Sequence, residues 1–128
     1  MYAYSKVMER ISNSRIKDSF QDEDQIIFIA YPGTLGKVLG KGAENVKKAQ
    51  LKLKKRVKVV EFSPSTESFV KNLIYPLKVR EITEESEEVI IKDPDKKTKS
   101  LLIGRNAKNL KLLNSVVKRY CNKEIKVV

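Results

Sequence analysis

Histidine and tryptophan are absent from this chain of 128 residues, and cysteine occurs once. Without histidine, the Ser–His and Cys–His pairs that activate nucleophiles cannot be built, nor can the imidazole ligands of most zinc sites. The lone Cys121 can form no internal disulfide, which fits a reducing compartment. No apolar run approaches the roughly 20 residues of a membrane-spanning helix, and the first ten residues lack the apolar stretch of a secretory signal. Carboxylates at 84–88 lie in a turn-like, solvated stretch without the apolar setting that shifts a pKa. These absences predict a cytoplasmic protein that is not an enzyme, with no membrane contact, no metal, no cofactor and no small-molecule substrate.

What the chain has in excess is positive charge. Twenty-seven lysines and arginines against sixteen acids leave +11 at pH 7, an imbalance that favours a polyanionic partner such as nucleic acid. The charges are also sorted. Residues 36–58 hold nine basic residues and one acid, Glu44, and residues 96–126 hold ten with one acid, Glu124. The acids collect around Asp18, Asp22, Glu23 and Asp24, and again over 81–95. A surface charged only for solubility mixes its signs, so the two basic blocks read as binding faces.

The chain repeats itself. LGKGAENV at 39–46 recurs as IGRNAKNL at 103–110, an offset of 64 residues, and RVKVV at 56–60 matches EIKVV at 124–128 at an offset of 68. The four additional residues amount to about one helical turn. Each half keeps its own positive excess, thirteen basic residues against seven acidic in 1–64 and fourteen against nine in 65–128. This is the pattern of a duplication, with a first domain over 1–63 and a second over 64–128. Residues 62–65 are too few for a free linker, so the halves are expected to be held rigidly, with Leu51, Leu112 and Val116 as candidate contacts.

Apolar periodicity places the elements. Residues 25–31 are rich in β-branched and aromatic side chains and end at Pro32-Gly33, which predicts a buried strand. A short helix over 34–39 stops at Gly40. A longer one follows over 44–55, with Val46, Ala49 and Leu53 as its inner stripe, and a strand covers 57–62. In the second half the matching elements are a strand at 88–92, a short helix at 96–103, a long helix at 107–121 and a strand at 125–128. Leu110, Leu113, Val117 and Cys121 share one face of that helix, so Cys121 reads as a small core hydrophobe. Each core is preceded by an amphipathic segment (4–11 and 67–75) and a weaker strand (15–17 and 78–82). Tyr2, Tyr4 and Tyr31 fit packing better than base stacking.

Between the short and long helices lies a tight turn, Gly40-Lys41-Gly42-Ala43 in the first copy and Gly104-Arg105-Asn106-Ala107 in the second. Gly40 and Gly104 can adopt positive φ and leave no Cβ in the way of an approaching chain. Amides at the start of the next helix are expected to point outward with the positive end of its dipole. Two other glycine motifs fail on spacing. A P-loop needs four residues between its glycines and a Ser or Thr after the lysine, whereas Gly36 and Gly40 are separated by three residues and Gly42 follows Lys41. A dinucleotide fingerprint starting at Gly40 breaks at Asn45.

With these elements around it, the core resembles the KH domain, whose G-x-x-G loop clamps the backbone of about four nucleotides. Elements that precede each core, with none after it, match the type II arrangement. Two such domains in tandem are similar to the pair in the NusA family of transcription elongation and termination factors. GKVLGKGAENV at 36–46 and VKVVEFS at 57–63 are particularly close to that family's short archaeal form. The resemblance spans nearly the whole chain. It implies an α+β fold of two tandem type II KH domains, each a three-stranded mixed sheet covered on one face by helices. The implied partner is single-stranded RNA, either a nascent transcript or ribosomal RNA; contact with RNA polymerase is implied by family membership alone.

The residues implied in RNA binding are Gly40, Lys41, Gly42 and Ala43 with Lys37, Lys47 and Lys48, and Gly104, Arg105, Asn106 and Ala107 with Lys99, Lys108 and Lys111. Both turns end in alanine where the family prefers glycine, at a place expected to open a helix and so to suit alanine. The second turn keeps one glycine, which predicts weaker binding there. The polymerase-binding domain and RNA-binding barrel of the longer bacterial form are not expected within this chain. A KH module of ribosome assembly or RNA processing is the alternative reading, and a protein-interaction scaffold that no longer binds RNA is a third. An RNA-binding assay separates the scaffold from the other two. Association with transcribing polymerase separates those.

Overall fold

The computed structural model describes residues 2–128, which form two compact units that divide between Ser63 and Pro64. The first runs α1 (Tyr2–Ser12), β1 (Ile16–Gln21), β2 (Gln25–Ala30), α2 (Leu35–Leu39), α3 (Glu44–Leu53) and β3 (Arg56–Glu61). The second repeats the order with α4 (Thr66–Ile74), β4 (Glu81–Glu84), β5 (Glu88–Lys92), α5 (Lys96–Ile103), α6 (Lys108–Cys121) and β6 (Glu124–Val127). In each unit the middle strand pairs antiparallel with the strand before it and parallel with the last, giving sheets β1-β2-β3 and β4-β5-β6. A parallel pair needs a crossover, and the two helices that flank the glycine turn supply it. The architecture is α+β with two mixed three-stranded sheets, as the sequence pattern predicts.

Packing follows the strand alternation. Ile26, Phe28 and Ala30 on β2 and Val57 on β3 are buried with Met8, Val38 and Ala49 from the three helices, and Val46 and Leu53 pack at the edge of this core. Ile27 and Ile29, at the alternate positions, are buried as well. Burial at every position from Ile26 to Ala30 is why β2 reads as an unbroken apolar run.

The four-residue difference between the repeats falls inside the long helix, which has 10 residues in α3 and 14 in α6. Both helices tether the strand that follows. Gln50 Oε1 accepts the amide of Val57 at 3.1 Å, and Asn114 Oδ1 accepts that of Ile125 at 2.6 Å. Each unit also ties its first hairpin to the loop before the last strand. Lys55 Nζ donates to the Asp22 carbonyl at 2.9 Å, and Lys123 Nζ donates to that of Glu85.

Three local expectations are corrected. The weak strand expected at 15–17 extends over Ile16–Gln21. Its register shifts between Ile16 and Asp18, so the bulge breaks the alternation and its polar residues read as a loop. The strand expected at 78–82 is Glu81–Glu84. Cys121 is half-buried at the end of α6, whose buried face is Leu112, Leu113, Val116 and Val117.

Lys58 on β3 carries a measurable consequence. Burial disfavours its ammonium and lowers its pKa from 10.5 to about 8. Between these values the unfolded chain binds the proton that the folded chain has released, so this group makes stability rise with pH. The stability of the parent relative to Lys58→Met is therefore expected to increase as pH goes from about 8 to 10.5. Urea melts across that range test it; a difference independent of pH contradicts the assignment.

Candidate nucleic-acid interface

The two glycine turns have nearly the same backbone. Gly40 sits at φ 77°, ψ 170° and Gly104 at 76°, 171°. The third residue is left-handed in both, Gly42 at 61°, 26° and Asn106 at 56°, 28°. Asparagine is among the few residues that tolerate this region, so losing a glycine at 106 leaves the turn's shape intact.

The fourth residue corrects an expectation. Ala43 and Ala107 both have φ 59°, so they are left-handed rather than the comfortable first residues of a helix. A side chain with a Cβ holds that conformation at about 1–2 kcal/mol. Glycine suits the position because of its φ. The amides after the turn are also used differently than expected. Ala43 N donates to Gly40 O at 3.0 Å and Ala107 N to Gly104 O at 3.1 Å, while the next amides, of Glu44 and Lys108, bond back to Lys41 and Arg105. These groups close the turn. Its outward part is Lys41–Gly42 in one copy and Arg105–Asn106 in the other, all exposed.

The first glycine plays a different part from the one its sequence suggests. A Cβ on Gly40 would lie 2.7 Å from Asn45 Nδ2, and one on Gly104 would lie 2.8 Å from Asn109 Cβ. These glycines are small because an asparagine occupies the space beneath them. By contrast, nothing stands within 4 Å of a Cβ on Gly42. Asn45 and Asn109 were not singled out from sequence, although their identity at matching places in the repeat was visible.

Around the first turn Lys37, Lys41, Lys47 and Lys48 are exposed, and Lys48 pairs with Glu44 at 3.4 Å. Around the second, Arg105 and Lys111 are exposed while Lys99 and Lys108 are half-buried. Other members of the basic blocks are held by partners within their own unit. Lys55 holds the first hairpin, Lys123 reaches Glu84 at 2.9 Å, and Lys126 reaches Glu88 at 3.1 Å. The hydrogen bond from Lys123 holds the Glu84 carboxyl below its ordinary pKa, and the one to Glu88 raises Lys126. The charge offered to a polyanion is thus a selected part of the total. Tyr4 packs against the first core, and the Tyr31 ring lies 5.2 Å from Arg15 Cζ and 5.5 Å from Lys17 Nζ. The Tyr2 side chain is outside the described residues. Among the described residues no group of three or more Cys, Asp or Glu side chains is placed to hold a metal, and no helix is long and apolar enough to cross a membrane.

A strand, a short helix, a glycine turn, a longer helix and a parallel strand define a class, and the family model for the KH domain matches residues 3–84. The chain belongs to the KH-domain family. Within that family it is NusA-like. It is 28% identical over 126 residues to the probable transcription termination protein NusA of Methanococcus vannielii, covering 95% of this chain and 73% of the relative. The protein of the same description from Methanocaldococcus jannaschii is 29% identical over 124 residues, covering 94% and 68%. Among solved structures, the crystal structure of APE1850 superposes with a TM-score of 0.75 at 26% identity, covering 99% of this chain and 96% of that one. The KH domain is an RNA-binding module.

Proposed function

We propose that this chain binds single-stranded RNA through both glycine turns and acts in transcription as a termination or antitermination factor on nascent transcripts. The observation that carries the RNA reading is the recurrence of one strained backbone at 40–43 and 104–107, each with exposed cations beside it, Lys37, Lys41, Lys47 and Lys48 at the first and Arg105 and Lys111 at the second. Strained backbone persists where surrounding structure over-determines it, and it clusters at ligand clamps. Lys41 and Arg105 stand at the turn tips, Lys37, Lys47, Lys48, Lys99, Lys108 and Lys111 flank them, and a sugar-phosphate strand is the ligand they suit. The chain's work on this reading is binding rather than catalysis. The transcriptional assignment rests on the description of the archaeal relatives, and polymerase is its proposed partner.

Affinity for a mixed-sequence single-stranded RNA is expected to fall as salt rises, since each phosphate neutralised contributes about −0.7 to the slope of log K on log salt. With several cations engaged, the slope should be steeper than about −2. Fluorescence anisotropy at four salt concentrations measures it, and a flat response favours the scaffold. Co-purification with transcribing polymerase, compared with ribosomal precursors, decides between transcription and ribosome assembly.

A further inference from the structure

We infer that Asn45 and Asn109 are positioning residues that lock the two glycine turns in their RNA-binding shape; the inference rests on the RNA reading above. Each asparagine lies in the first turn of the long helix, five residues after the turn's first glycine. Asn45 Nδ2 donates to the carbonyls of Lys37 at 3.4 Å and Val38 at 3.2 Å. Asn109 Nδ2 donates to those of Leu101 at 3.4 Å and Leu102 at 2.8 Å. The carbonyls belong to the last turn of the short helix, where intrahelical partners run out. One side chain therefore joins the end of the helix before the turn to the start of the helix after it.

The residue type follows from the geometry. Two carbonyls must be met by a donor, so aspartate, which only accepts when ionised, would oppose them. The side chain must reach across the underside of the turn, and a bare glycine Cα leaves room for the Asn45 amide at 40 and for the Asn109 Cβ at 104. Between the two tethered ends lie two left-handed residues, one of them alanine, in each copy. A chain segment that strained relaxes unless both ends are held. Neither asparagine carries charge and neither lies at the exposed tip. Their effect on RNA runs through the shape of 41–43, which separates them from the lysines.

The test uses the full chain and a mixed-sequence single-stranded RNA. Asn45→Ala and Asn109→Ala are expected to weaken binding by about tenfold when both are present, because apparent affinity scales with the fraction of turn in the competent shape. The salt slope should stay at the parental value. Lys47→Ala, a direct phosphate contact on this reading, should instead flatten the slope by about 0.7. In the parent, nuclear Overhauser contacts should join the Asn45 side-chain amide to Val38 and that of Asn109 to Leu102, a measurement that needs no variant to fold. Folded variants with parental affinity, a slope that flattens with the asparagines, or the absence of those contacts would each overturn the inference. If the parent itself fails to bind RNA, the proposed function falls and the positioning role falls with it. Parental binding with unaffected asparagine variants sinks the positioning role alone.

Discussion

Replacing Lys41 and Gly42 together with aspartate is expected to lower affinity for single-stranded RNA by about tenfold or more, since two carboxylates then face the backbone phosphates. The matched change, Arg105→Asp with Asn106→Asp, puts the same charges on the second turn. The pair differs in what else it disturbs. Gly42 has φ 61° with open space around a Cβ, so aspartate there adds only backbone strain of about 1 kcal/mol. Asn106 already carries a side chain of aspartate's shape at φ 56°, so that variant should be near neutral in stability. A fall in affinity at 105–106 is then a charge effect free of conformational change. Circular dichroism reports folding and anisotropy reports binding. Should both variants fold and bind like the parent, the turns are not the phosphate clamp.

Gly104→Ala is expected to destabilise its unit by about 3 kcal/mol or more, and Gly40→Ala by about 2 kcal/mol. Both glycines sit near φ 77°, ψ 170°, a region open almost only to glycine. The difference lies in what the added methyl meets. At 40 the neighbours are the amide end of Asn45, at 2.7 and 2.8 Å, which can swing aside if its hydrogen bonds are given up. At 104 they are Asn109 Cβ at 2.8 Å and its backbone N at 3.0 Å, which cannot move without the helix. For a domain of this size each kcal/mol lowers Tm by about 4–8 °C. Thermal melts with residue-resolved amide signals follow each unit. Equal losses, or a larger loss at 40, contradict the packing described here.

Much of the fold was legible because its signals are local. The short helix of the second copy matches its expected span, Lys96–Ile103, since an acid caps it and a glycine ends it. Asp95 accepts from Thr98 N at 3.3 Å, and that bond together with the Thr98 hydroxyl lowers its carboxyl pKa. The extra turn of α6 followed from two repeat offsets. The extent of β1 did not, because a bulge shifts its alternation and only pairing with β2 makes Phe20 an inward residue.

The turns divide in the same way. Their location, glycine content and neighbouring cations are properties of the string of residues, and the repeat places them twice. The left-handed state of Ala43 and Ala107 has no signature in sequence, because alanine is elsewhere a helix former. Charge behaves likewise: Lys41 and Lys55 are indistinguishable as letters, yet one stands at an exposed tip and the other holds the Asp22 carbonyl. Sequence alone determined the duplication, the strand–helix–turn–helix–strand order and the sign of the surface, since periodicity and composition are additive along the chain. Only the tertiary structure decided which lysines remain outward and which asparagine fills the space beneath each glycine. Those choices depend on which carbonyls need a donor once helices and strands have met.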